Sequence, residues 1–227
     1  MKILSLAITL ILVTGLYSLP LKAQGLNPYF ETLAEYNRIK PMQNPQWERS
    51  RDTLKSDILD RKNKTLGEVH DIVVTPNGTI QFLDAELDRI QLGEVALNYR
   101  KLNIGASERS YKLGYDDDQI KEVFADLLAD IETAAGDDSD MISIDKLVGS
   151  DVHSDDGRRI GKIEEVMFTN SGDRAEALIV RVNYKTVRGE SVAIPFSSAD
   201  YKGDGSRYDV MLADDQTDTL LEFADKL

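Results

Sequence analysis

The acidic clusters are the only side chains in this chain whose chemistry could hold a metal. The chain has no cysteine, which excludes thiolate nucleophiles, iron–sulfur clusters and thiolate zinc sites. Its two histidines, His70 and His153, show no zinc-site spacing. No nucleophile elbow or glycine-rich phosphate loop is present. His70 follows Val69 in an apolar run and reads as a half-exposed strand residue, not a base. The acidic runs are Asp116-Asp117-Asp118, Asp137-Asp138 with Asp140, and Asp155-Asp156. Calcium needs several oxygens converging around a tight loop, usually with a distant bidentate carboxylate. None of these runs has that spacing. Asp117 and Asp214 fall at predicted helix N-termini, where the helix dipole stabilises negative charge. Asp155-Asp156 reads as a turn and 137–140 as a solvated linker. No catalytic residue, cofactor site or metal site is therefore assigned.

One acidic pattern points instead to recognition. Asp84, Glu86 and Asp88 alternate with Leu83, Ala85 and Leu87. In a strand that alternation puts three like charges on the face opposite the apolar one. Such a stripe needs water or basic groups beside it, so these three residues are the candidate partner-binding face. A cation-responsive, calcium-type protein is the alternative use of the same carboxylates.

The chain of 227 residues carries a formal charge of −13, from 27 basic and 40 acidic side chains. That field disfavours nucleic acid and anionic lipid and suits a basic partner. At the N-terminus Lys2 precedes a run from Ile3 to Leu19 that is apolar apart from Ser5, Thr9, Thr14 and Ser18. Pro20-Leu21-Lys22-Ala23 then reads as a cleavage region. Residues 1–23 are expected to be a signal peptide, which places the mature chain in a periplasm. The alternative is an inner-membrane anchor over residues 3–19; only then is a membrane a partner.

The rest of the chain repeats itself. Leu66-Gly67-Glu68-Val69-His70-Asp71-Ile72-Val73 returns as Ile160-Gly161-Lys162-Ile163-Glu164-Glu165-Val166-Met167, with Gly67 and Gly161 94 positions apart. Asp57 and Asp151 keep the same offset. Tyr111 with Tyr208, and Asp117-Asp118-Gln119 with Asp214-Asp215-Gln216, show an offset of 97. A fixed internal period marks duplicated units. Within the second copy, Asp155-Asp156-Gly157 predicts a hairpin turn, Ile160 to Thr169 a strand, and Ala175 to Tyr184 a long strand with Leu178, Val180, Val182 and Tyr184 on one face. Thr186 to Glu190 predicts a turn at Gly189. Pro195 ends the next strand. Tyr208 to Leu212 is the last strand, before a helix capped by Asp214 or Asp215 that buries Leu220, Phe223, Ala224 and Leu227. In the first copy a longer helix is expected after Asp116, with Ile120, Val123, Phe124, Leu127, Leu128 and Ile131 at helical spacing. Upstream of both copies, Asn27 and Pro28 predict a helix to Ile39. The single tryptophan, Trp47, is expected to pack on the domain that follows it.

Leu147-Val148-Gly149-Ser150-Asp151-Val152, Asp156-Gly157 and Ile160 to Val166, continued by Ala177 to Val180 and Val192-Ala193-Ile194-Pro195, resemble the PRC-barrel domain family over about residues 145–224. The first copy is divergent, with Lys62-Asn63-Lys64 in place of the Asp-Gly turn and Asn98 in place of the proline. The resemblance implies a mainly β fold: two small PRC-type β-barrels in tandem, each followed by a helix and each with its own core. It implies no catalytic residues and no cofactor. The expected organisation is a signal peptide over 1–23, a polar, partly helical lead-in over 24–50, a first barrel over 51–133, an acidic linker over 134–143 and a second barrel over 144–227. The expected function is non-enzymatic: an exported binding or scaffold protein of the cell envelope whose partner is a protein of basic character and not a nucleic acid.

Overall fold

The computed structural model describes residues 27–107, 109–116, 118–120, 122, 141–169, 173–203 and 207–227. The expected signal peptide, most of the helix after Asp116, and Asp117, Asp137, Asp138 and Asp140 lie outside these residues.

The described chain is mainly β and builds two seven-stranded sheets. Strands β2 (Asp57–Leu59), β3 (Thr65–Val74), β4 (Ile80–Glu86), β5 (Glu94–Asn98), β6 (Gly105–Ser107) and β7 (Ser110–Lys112) form one path, in the order β5-β4-β3-β2-β7-β6. Strands β9 (Asp151–Ser154), β10 (Arg159–Thr169), β11 (Ala175–Tyr184), β12 (Val187–Pro195), β13 (Asp200–Gly203) and β14 (Tyr208–Leu212) form the other, in the order β12-β11-β10-β9-β14-β13. The two orders are the same. Each path holds one parallel pair, β2 with β7 and β9 with β14, among antiparallel neighbours.

Equivalent strands share their irregularities. The β3–β4 ladder shifts register between Val69 and Asp71, and the β10–β11 ladder shifts between Ile163 and Glu165. The glycines before these shifts let backbones close up. A Cβ on Gly67 would lie 1.7 Å from the carbonyl oxygen of Glu86, and one on Gly161 would lie 2.3 Å from that of Arg181. The glycine shared by the two copies is therefore a packing requirement at one crossing of strands, met twice.

The seventh strand of each sheet comes from the segment that leads into the other half. Strand β1 (Trp47–Arg49) pairs with β10 through Trp47↔Thr169 and Arg49↔Met167. Strand β8 (Ile142–Ser143) pairs with β3 through Val73↔Ser143 and Val74↔Ile142. Single-turn helices α2 (Ser50–Thr53) and α3 (Ile144–Leu147) follow these strands. The halves are thus exchanged at their entrances, and most buried apolar side chains of both form one continuous cluster. This corrects the expectation of a separate core for each half.

The flanking helices follow the sequence closely. Helix α1 (Pro28–Arg38) starts where the Asn27 side chain accepts from the Tyr29 N–H, and it buries Leu33. Helix α4 (Asp214–Ala224) buries Leu220, Phe223 and Ala224. Its N-cap is Ala213, which corrects the expected cap at Asp214 or Asp215: the Ala213 N–H donates to Gln216 Oε1 at 3.1 Å from extended backbone, and both Asp residues already lie in the first turn. The same bond recurs at Asp116 N–H and Gln119, which preserves the offset of 97 at this cap.

Four further expectations are corrected. Trp47 packs on the second sheet, not the first: with Tyr36 and Met42 it covers Met167, Ala177, Ile179 and Ala193. Leu227 is 63% exposed because α4 has already ended. The β11–β12 turn is tighter than predicted, with Lys185 at φ 50° taking the left-handed conformation and Gly189 lying inside β12. Tyr111 is matched by Val210, not Tyr208, since Tyr111 pairs with Ile58 and Val210 with Val152. The error is two residues, so both assignments put the residue on the same face.

Candidate functional site

The outward face of the first sheet gathers carboxylates from three strands. Glu68 of β3 stands opposite Glu86 of β4, and Glu86 opposite Glu94 of β5. Across these three strands one row is therefore entirely acidic, at the ~4.8 Å spacing of neighbouring strands. Asp84 faces Asp71 on one side and Ala96 on the other. Of the three residues singled out from the sequence, Asp84 and Glu86 lie on β4. Asp88 does not: the strand ends at Glu86, and Asp88 opens a 3-10 turn (Asp88–Ile90). Asp88 still reaches Glu86, and its charge holds the half-exposed Glu86 carboxyl above the usual range.

The floor of this face is partly sheltered. A groove of about 370 Å³ is lined by His70, Asp71, Asp84, Glu94, Ala96 and Asp145 together with Ala85 and Val95. Burial pushes the Asp84 carboxyl up, and the Asp71 charge adds to the effect, while Lys146 and His70 oppose it. Burial also raises Asp71. His70, the residue at the register shift, sits with Nε2 3.3 Å from Glu86 Oε2. It is half exposed, as expected, and it is the one basic side chain of β3 on this face. Pairing with Glu86 fits a neighbour that tempers the acidic row.

The second half carries the opposite chemistry at the same positions. The row equivalent to Glu68–Glu86–Glu94 is Lys162–Arg181–Ser191. His70 is replaced by Glu164, which accepts from Arg181 at 2.9 Å and from the Ser191 hydroxyl at 2.7 Å. The cross-strand pair is kept, with the carboxylate moved to the other strand. Asp84 is replaced by Ile179, which Trp47, Tyr36 and Met42 cover.

Where the halves meet, two carboxylates make matching contacts. Asp71 accepts from the Ser143 hydroxyl at 2.5 Å and the Asp145 N–H at 2.9 Å. Glu165, buried, accepts from the Ser50 hydroxyl, from the Arg51 N–H at 3.2 Å and from Arg51 Nε at 3.2 Å. A cleft of about 800 Å³ lies alongside, lined by Arg51, Lys55, Glu68, His70, Asp145 and Glu164 among others.

Two of the carboxylates weighed for calcium, Asp116 and Asp156, are occupied locally. The Asp116 carboxylate accepts from the Gln119 N–H and pairs with Arg61 at 3.0 Å and Lys62 at 3.2 Å, which holds it below its usual range. Asp156 accepts from Arg158 and Ser154 in its turn and is lowered to about 2. Among the described residues, no group of three or more His, Asp or Glu side chains is placed to hold a metal ion. His153 lies 3.7 Å from Asp209 across the parallel pair.

Residues 139–216 match the PRC-barrel domain family. The matched segment begins just before β8, the strand that crosses to the first sheet, and ends in the first turn of α4. It therefore takes in the exchanged entrance as well as all six strands of the second path. Among curated proteins, none matches the chain. Among the described residues, no helix is long and apolar enough to cross a membrane.

Glu68, Asp71, Glu94 and Asp145 were not singled out from the sequence, although they complete the acidic face. Glu68 and Glu94 sit in runs readable as strands, but only the register across β3, β4 and β5 aligns them with Glu86. Asp145 arrives through the exchanged β8–α3 entrance, for which no local signal exists.

Proposed function

We propose that this is a non-enzymatic binding or scaffold protein of the cell envelope, built from two PRC-type barrels in tandem and exported by its first 23 residues. The acidic face of the first sheet is its docking surface for a basic protein partner. The observation that carries this reading is the aligned Glu68–Glu86–Glu94 row above the half-buried Asp84. Like charges directly opposite one another destabilise a sheet. A cation-bearing partner turns that cost into affinity, because desolvated carboxylates interact strongly with an incoming positive charge. The sign exchange at Lys162 and Arg181 supports a division of labour, in which the second sheet takes the lead-in and the first meets the partner.

A cation-responsive role would use the same carboxylates. The structure favours the protein partner, since the acidic side chains are spread along strands and not converged on a point.

The test is affinity capture from envelope extracts with the full chain and with a D84K/E86K/D88K variant. Loss of a captured basic protein with retention of the folding transition supports the reading. Unchanged capture refutes it. A calcium titration read by thermal shift separates the alternative: a specific site stabilises by about 2.7 kcal/mol at a hundredfold excess over Kd.

A further inference from the structure

We propose that the outer margin of β5 takes up an extended, basic segment of the partner as an added strand. This rests on the acidic-face reading and specifies how the partner is held.

The second half shows what such a margin requires. Strand β12 ends its path, and there the Asn37 side chain of α1 meets Ala193 from both sides. The Ala193 N–H donates to Asn37 Oδ1 at 2.8 Å, and Asn37 Nδ2 donates to the Ala193 carbonyl at 2.9 Å. A carboxamide has the donor and acceptor of one peptide unit, so Asn37 stands where a neighbouring strand would otherwise pair.

Strand β5 is the counterpart of β12, and Ala96 is the counterpart of Ala193: Ala96 pairs with Asp84 as Ala193 pairs with Ile179. The Gly93 carbonyl accepts from the Leu87 N–H and the Gln81 carbonyl accepts from the Tyr99 N–H, both toward β4. By the alternation of an antiparallel ladder, Glu94 and Ala96 then direct their peptide groups away from the sheet. Among the described residues, none takes Asn37's place at Ala96.

The chemistry beside this margin selects the occupant. In the second half an aromatic cover of Tyr36 and Trp47 lies over Ile179. Asp84 occupies that position in the first half, and an apolar cover would strand its charge. A residue added opposite Ala96 lies on the face of Asp84, and the residue two positions along lies beside Glu94. Basic side chains at alternate positions therefore meet the carboxylates lining the groove. A second copy of this chain is a poor occupant, because it brings a second acidic face, with its own Asp84 and Glu94, beside the first. Strand addition of this type draws affinity from main-chain bonds and selectivity from alternate side chains.

The probe is an octapeptide of alternating Lys and Thr, tested on the full chain against the same peptide N-methylated at the amides that would face β5. Charge is identical in the two. The expected result is at least tenfold weaker binding of the methylated peptide, with slowed amide exchange at Ala96 on binding of the unmodified one. Equal affinity of the two peptides overturns the added strand and leaves the acidic face as a purely electrostatic surface. An Ala96 amide already protected in the peptide-free chain also overturns it, because the margin is then covered. Failure of both peptides to bind overturns this proposal and the acidic-face reading together.

Discussion

Asp71 and Glu165 each stand one residue past the same register shift, and each accepts from the entrance helix of the opposite half. Asp71 takes the N–H of Asp145, and Glu165 takes the N–H of Arg51; the two donors are themselves equivalent in the repeat. The halves are thus locked by one contact used twice. The two locks differ in depth: Glu165 is 4% exposed, whereas Asp71 is only partly covered.

Replacing Glu165 by Ala leaves the buried Ser50 hydroxyl and the Arg51 N–H without their acceptor. The expected loss is about 2 kcal/mol, in the range for stranding buried partners of a charged hydrogen bond. Replacing Glu164 by Ala, which removes an exposed pair with Arg181, should cost under about 1 kcal/mol. Urea denaturation of the two variants checks this ordering, and equal losses would show that the lock contributes nothing special.

Gly67→Ala should be among the most damaging single changes. The added methyl meets the Glu86 carbonyl, which belongs to the backbone and cannot rotate away. Strands β3 and β4 must then separate, at a cost of about 3 kcal/mol, the upper end for overpacking. Gly161→Ala should cost somewhat less, because its carbonyl neighbour is farther off. Thermal melts of both variants test the order.

The acidic face sets a pH dependence of definite sign. Burial raises Asp84 above its ordinary value of 3.8, so the folded chain binds this proton more readily than the unfolded one. The penalty for holding the charge is full above the raised value and vanishes below 3.8. Asp156, lowered to about 2, works the other way: its stabilisation is present above about 4 and is lost as pH falls through 2. Asp84→Asn should therefore raise stability at pH 7 and leave it unchanged at pH 3. Denaturation curves at those two values decide it; a gain of equal size at both would mean that the carboxylate charge is not the cause.

Much of this architecture is legible in the residues themselves. The alternation of Leu83, Ala85 and Leu87 with acidic neighbours fixes which face of β4 is buried, and Asn27-Pro28 fixes where α1 begins. The exchanged entrances are not legible. Strands β1 and β8 contribute three and two residues, too few for any period, and their partners lie about 120 and 70 positions away in a chain whose copies offer near-identical alternatives. The tryptophan's destination is hidden for the same reason. Strand register is a tertiary property, so Glu68 and Glu94 could be placed on strands without being placed beside Glu86. Matching Tyr111 to Tyr208 by residue type is off by two, because the pairing that decides the matter is with Ile58 and Val152.

Asn37 offers a test of the difference between the two outer margins. Its side chain makes three bonds: two to the Ala193 peptide groups and one from Nδ2 to the Leu33 carbonyl at 2.7 Å. Asn37→Ala removes them from a site that Trp47 and Tyr36 already shield. The expected cost is about 1–2 kcal/mol, since the Ala193 groups regain water only in part. A second consequence follows from the sheet itself. Once uncovered, β12 presents a strand margin flanked at Ala193 by Ile179 where β5 has a carboxylate, so this stretch of margin is open to another copy. The variant should self-associate at raised concentration, whereas the parent chain, whose β5 margin is guarded by Asp84 and Glu94, should not. Sedimentation of both across a hundredfold range of concentration would show this, and a variant that stays monomeric would mean that α1 still covers the margin without Asn37.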